Sequence, residues 1–162
     1  MDLLLWRHAH ALDGGPDLLR PLSEKGRLQA ARMATWLQGI LPRHARILVS
    51  PALRTRQTAE TLARDYQVIQ DLAPGFGVEA LLRATGWPHA RDPVLVVGHQ
   101  PSLGQTCRQL LCGAGTEMSL QKGALVWLEH RERNGQKQTL LKAAMSPDLL
   151  RTDPVHPTGD GD

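Results

Sequence analysis

Three short apolar runs, each cut off by polar residues capable of chemistry, constrain the fold of this chain more than any other feature. Residues 3–6 (Leu-Leu-Leu-Trp) lead into Arg7-His8, residues 47–49 (Ile-Leu-Val) into Ser50-Pro51, and residues 93–97 (Pro-Val-Leu-Val-Val) into Gly98-His99. Runs this short and this apolar read as strands buried on both faces. The segments between them read as helices. Ser23 opens one, with Glu24 in its first turn. Leu28, Ala31, Met33, Ala34 and Leu37 supply its apolar side, and Gly39 and Pro42 end it. Further helices are expected over 53–66, 78–85 and 102–111, and a weak strand over 68–72. Residues 12–22 are rich in Gly, Pro and Asp and read as a loop. Segments 124–129 and 138–144 read as a hairpin turning near Asn134-Gly135. Strands alternating with helices imply an α/β layered sheet, largely parallel, with the hairpin on one side. A single domain over 1–151 is expected, followed by a flexible Pro-, Gly- and Asp-rich tail over 152–162.

Composition narrows the function classes. The 162 residues suit one domain, and 41% hydrophobic content supports a sizeable core. The formal charge of +3 is spread along the chain without a block of like charges, and only 4% of residues are aromatic. Neither favours a nucleic-acid binder, which wants a basic patch with stacking platforms. No run approaches the length of a membrane span, and residues 1–7 lack the basic start and long apolar core of a leader peptide. A cytoplasmic protein is the expectation. Cys107 and Cys112 match no zinc spacing and read as reduced apolar fillers.

In parallel α/β sheets ligands bind beyond the carboxyl ends of the strands, so the three polar stops should lie together. A histidine after a strand is, on its own, an ordinary structural residue. His8 gains its case from its company. Arg7 beside it offers a bidentate fork to an anion and disfavours a second positive charge, keeping the imidazole neutral and nucleophilic. His99 follows a glycine and precedes Pro101, the start of a helix whose free N–H groups would face an anion. Arg54 stands in the first turn of another helix, where a cation is unfavourable unless an anion is bound there. Arg56 reads as surface and His10 as a rim residue. Two histidines and two arginines make a phosphate pocket: the arginines neutralise a phosphoryl dianion, one histidine attacks phosphorus, the other donates to an oxygen. No Gly-rich Lys-Ser/Thr loop and no acidic cluster suggests a metal or other cofactor.

These blocks resemble the histidine phosphatase superfamily, also called phosphoglycerate-mutase-like. Arg7-His8-Ala9 is similar to its Arg-His-Gly signature, with alanine where the wider superfamily has glycine. The segments Ser50-Pro51-x-x-Arg54-x-x-Gln57-Thr58-Ala59 and Val97-Gly98-His99-Gln100-Pro101-Ser102-Leu103 resemble its other two blocks, and Arg20-Pro21-Leu22-Ser23 the loop-to-helix segment. The short chain and the ending Met145-Ser146-Pro147-Asp148 resemble the SixA-type phosphohistidine phosphatase branch. The resemblance, over roughly residues 1–150, implies a three-layer α/β/α sandwich. It also implies His8 as the phosphorylated nucleophile, and Arg7, Arg54, His99 and Arg20 as the groups that hold the phosphoryl moiety.

Ester substrates leave as poor alkoxides and need a general acid. The stretch where larger family members insert one is short here, and its carboxylates are Asp71, Glu79 and Asp92, with Glu79 reading as a solvated helix face. A phosphoramidate needs less help, because its imidazole can leave already protonated. The expected activity is therefore metal-independent hydrolysis of phosphohistidine on a protein partner. A small-molecule phosphomonoesterase of the same fold and a noncatalytic phosphate- or phosphoprotein-binding module are the rival readings.

Overall fold

In the computed structural model, which describes residues 1–113 and 117–150, six strands form one sheet. The expected tail over 152–162 lies outside the described residues. The strands are β1 (Asp2–Arg7), β2 (Arg46–Val49), β3 (Gln67–Val68), β4 (Val94–Gly98), β5 (Leu125–Arg133) and β6 (Gln136–Met145). Four helices accompany them: α1 (Glu24–Ile40), α2 (Leu53–Glu60), α3 (Val78–Thr85) and α4 (Ser102–Leu111). The sheet order is β3-β2-β4-β1-β5-β6. Strands β3, β2, β4 and β1 pair in parallel, β5 runs antiparallel to β1, and β6 turns back along β5.

Alternation along the strands divides the core in two. Leu4 and Trp6 of β1, Ile47 and Val49 of β2, and Leu95 and Val97 of β4 pack with Met33, Ala34 and Leu37 of α1 and Ala59 of α2. Leu3, Leu5, Leu48, Val94 and Val96 point the other way, to Leu81 of α3 and to Leu103 and Cys107 of α4. Successive strand side chains face opposite sides, so strands apolar throughout need cover on both faces. The result is a three-layer α/β/α sandwich.

Several local expectations shift. The inward face of α1 is Gly26, Gln29, Ala30, Met33, Ala34 and Leu37, whereas Leu28 is 56% exposed and Ala31 is exposed too. At 3.6 residues per turn Leu28 stands well off the Met33 direction, and hydrophobicity alone misplaces it. Helix α2 stops six residues early. Leu62 and Ala63 donate to the carbonyls three back, and Ala63 then enters the left-handed region at φ 51°, which ends a helix. The expected strand over 68–72 is two residues long, after which Gln70–Leu72 coils into one 3₁₀ turn that buries Leu72. The hairpin runs longer than expected and turns on Asn134 and Gly135, both at positive φ, as a two-residue turn of this type requires. Cys107 is buried as expected, but Cys112 is exposed just beyond α4.

Candidate active site

The sheet itself brings the polar stops together. Arg7 on β1 is in register with Gly98 on β4, and Val49 on β2 with Val97. The ladder then runs one step past the strands: His8 N–H donates to Gly98 O (3.1 Å) and Ser50 N–H to Val97 O (3.1 Å). His99, continuing the central strand β4, thus lies between His8 and Ser50. Its ring centroid is 5.2 Å from that of His8. Helix α2 starts two residues after Pro51 and places Arg54, 3% exposed, 3.4 Å from His99 Nδ1.

The state of each ring follows from its neighbours. His8 Nδ1 is 2.7 Å from Ala9 O. A carbonyl only accepts, so Nδ1 carries the proton and Nε2 keeps its lone pair. Burial pushes the His8 pKa down to about 4, and the charges of Arg54, Arg7 and Lys122 add to that shift against the opposing Ala9 hydrogen bond. The imidazole is neutral at physiological pH with one nitrogen free to attack. His99 has the opposite tautomer: Arg54 Nη2 can only donate to Nδ1, so Nε2–H donates to Ser50 Oγ at 2.7 Å. Burial first, then the charges of His8 and Arg54, lower the His99 pKa to about 3. For His99 to donate to a bound oxyanion, Nδ1 must gain a proton, which an arriving negative charge favours.

The arginines are anchored and keep donors in reserve. Arg7 Nη1 donates to Leu120 O (2.6 Å). Arg54 Nη1 and Nη2 donate to Asp17 O (2.6 Å) and Asp17 Oδ2 (3.0 Å). The buried Nε–H groups of Arg7 and Arg54 have no hydrogen-bond partner among the described residues. Buried donors are ordinarily satisfied, so two orphaned guanidinium N–H groups beside two neutral histidines fit an oxyanion.

Around this centre the chain approaches itself closely. Ala9 N–H donates to Thr58 Oγ1 (3.2 Å), and His10 N–H to Gln29 Oε1 (3.0 Å). Ser23 caps α1 by accepting from Gly26 N–H (3.1 Å) and sits 2.8 Å from His10 Nδ1. His10 is thus a half-buried rim residue tied to the start of α1. Lys122, on the segment before β5, adds positive charge near both His8 and His10.

Some expected features fall elsewhere. The first turn of α4 has few free amides: Leu103 N–H donates to His99 O (3.0 Å) and Gly104 N–H to Gln100 Oε1 (2.8 Å). Arg20 bonds Asp17 Oδ1 (2.9 Å) and Leu12 O (3.2 Å), and it meets the site through the Asp17 carboxylate it shares with Arg54. Asp92 precedes β4 and lies at the opposite end of that strand from His99, so it is no acid for this site. Glu79 is exposed on α3. Asp71 lines a small cleft beside His99 but pairs with Arg83 at 3.3 Å. Ser50 is one of the three polar stops that the sequence singles out, whereas Asp17 is not. Asp17 left no local signal, because a Pro-Asp pair in a polar loop reads as an ordinary turn.

Residues 3–76 match the model of the histidine phosphatase superfamily (branch 1). Among curated proteins, phosphohistidine phosphatase SixA of Escherichia coli (strain K12) is 34% identical over 123 residues, spanning 70% of this chain and 76% of that protein. An uncharacterized protein of Picosynechococcus sp. is 38% identical over 139 residues, spanning 79% of this chain and 84% of its own. A solved structure of the protein histidine phosphatase SixA complexed with tungstate superposes with a TM-score of 0.75 at 30% identity, over 93% of this chain and all of that one.

Proposed function

The chain belongs to the histidine phosphatase superfamily, in its SixA-type branch, and from that premise we propose that it hydrolyses phosphohistidine on a protein through a covalent intermediate at His8. One observation carries the reading: His8 is buried and neutral, with its Nδ1–H tied to Ala9 O and its Nε2 lone pair left free. Nucleophilic catalysis requires this form of imidazole.

In the first step His8 Nε2 attacks phosphorus in line, and the P–N bond to the substrate imidazole breaks. That imidazole leaves neutral when its distal nitrogen already carries a proton. In the second step water attacks phosphorus, the P–Nε2 bond breaks, and phosphate departs with His8 neutral again. Arg7 and Arg54 hold the phosphoryl oxygens, joined by His99 once protonated, while Arg20, expected among them, acts through the Asp17 carboxylate it shares with Arg54. That a SixA structure is complexed with tungstate, a tetrahedral oxyanion, supports oxyanion binding by this chain. None of the three carboxylates weighed as acids is both near His99 and free of a basic partner, which favours a phosphoramidate over an alkyl ester.

The test is a substrate panel with His8→Ala as control. A phosphohistidine-bearing protein should exceed sugar phosphates in kcat/KM by at least tenfold, about 1.4 kcal/mol of transition-state preference. Faster turnover of sugar phosphates would instead establish a small-molecule phosphomonoesterase. Phosphate binding without release from any substrate would leave only a binding module.

A further inference from the structure

We propose that Asp17 is a built-in competitor for the phosphoryl site, whose carboxylate holds Arg54 and gives it up when a phosphoryl group arrives. This rests on the reading above, in which Arg54 grips phosphate. A guanidinium makes bidentate contact through its Nη1/Nη2 edge or its Nε/Nη2 edge. Asp17 occupies the first of these edges: Nη1 donates to its carbonyl at 2.6 Å and Nη2 to its Oδ2 at 3.0 Å. A phosphoryl group that grips this edge must displace the Asp17 carboxylate from a side chain that is only 3% exposed.

The carboxylate is placed so that it can leave. Asp17 opens a single 3₁₀ turn, Asp17–Leu19, and residues 12–19 are exposed. The loop is pinned at its base, where Ala11 bridges Leu22 and Leu12 N–H donates to Pro21 O (2.9 Å). Gly14 and Gly15 precede the turn at φ +90° and +72°, a region that glycine enters without strain. Undocking the tip uncovers no buried side chain of the turn itself. Arg20 binds the other carboxylate oxygen through Nε and Nη2. The two arginines hold the Asp17 carboxyl below the usual carboxylate range, so it is charged whenever the enzyme works.

Competition of this kind weakens every anion by the same factor, because the apparent dissociation constant is the intrinsic one divided by the fraction of open sites. It leaves the bound complex unchanged. Its benefit is release: the carboxylate re-docks on Arg54 as phosphate departs, and free phosphate occupies the pocket less.

The experiment measures inhibition by inorganic phosphate, with an aryl phosphate as reporter, in the wild type, Asp17→Asn and Asp17→Ala. The phosphate Ki and the KM should fall together by roughly fivefold or more, the upper end for an exposed ion pair, because Arg54 is buried, while kcat stays within about twofold. In an Arg54→Ala background the Asp17 substitutions should have no effect on Ki. An unchanged or raised Ki overturns the proposal, since Asp17 would then be inert or would organise Arg54. A parallel fall in kcat also overturns it, by placing Asp17 in the chemistry. If Arg54→Ala alone leaves phosphate affinity intact, the assignment of Arg54 to phosphate fails, and the competitor role fails with it.

Discussion

Glycine to alanine inside a helix ordinarily stabilises, by about 1 kcal/mol from propensity alone. At Gly26 the sign should reverse. A methyl group there would overlap the carbonyl oxygen of His10 outright and stand 2.8 Å from its carbonyl carbon. Comfortable carbon contacts lie at about 3.5–4.0 Å, so the first turn of α1 must back away from residue 10 by roughly 1 Å. The obstacle is backbone and cannot rotate aside. The same movement stretches the bond from Ser23 N–H to His10 O (3.0 Å) and that from His10 N–H to Gln29 Oε1 (3.0 Å). Overpacking of this type costs about 1–3 kcal/mol and here also strains two hydrogen bonds. After the propensity gain, Gly26→Ala should be destabilised by about 1–3 kcal/mol. Because residues 8–10 are continuous with the nucleophile, kcat should fall as well, by up to about a hundredfold for a displacement near 1 Å. Urea unfolding with matched steady-state kinetics measures both. A variant more stable than wild type with unchanged kcat would refute the close-approach argument.

Two further outcomes follow from the site. Ser50→Ala removes the acceptor of His99 Nε2–H at a position with no exposure; kcat/KM should drop by roughly ten- to a hundredfold and stability by about 1–3 kcal/mol, because a buried donor loses its acceptor, and unaltered kinetics would show that Ser50 does not orient His99. Acid should also destabilise the fold. His8 and His99 have folded-state pKa values of about 4 and about 3, below the unfolded value near 6.5, so the unfolded chain takes up protons that the native chain refuses. Stability is then complete above about pH 6.5 and declines toward pH 4 by at most about 1.4 kcal/mol per unit for each ring. Urea midpoints across this window should fall less steeply in a His8→Gln, His99→Gln variant; equal slopes would contradict buried neutral histidines.

The sequence announced the architecture wherever one local pattern decided the outcome. Apolar runs such as 94–98 had to be covered on both faces, and Asn134-Gly135 could make only a tight hairpin turn. The convergence of His8, Ser50 and His99 was legible for the same reason, since parallel pairing aligns strand ends. What stayed hidden depends on approach in three dimensions. Gly26 looks like a weak helix residue until His10 O is seen against it. Leu28 looks like core until the Gln29–Met33 face turns inward. The amides at the start of α4 look free until the Gln100 side chain folds back onto Gly104. Asp17 reaches Arg54 from a loop 37 residues away, and no local composition encodes that docking.

The proposed mechanism turns on His8 as the group that takes the phosphoryl moiety. Incubation with a phosphorylated substrate, quenching in alkali to preserve phosphohistidine, and peptide mapping read this directly. Label should map to the peptide containing His8, decay at the rate of turnover, and vanish together with activity in His8→Ala. Label on another residue, or full labelling and turnover in His8→Ala, would contradict the mechanism.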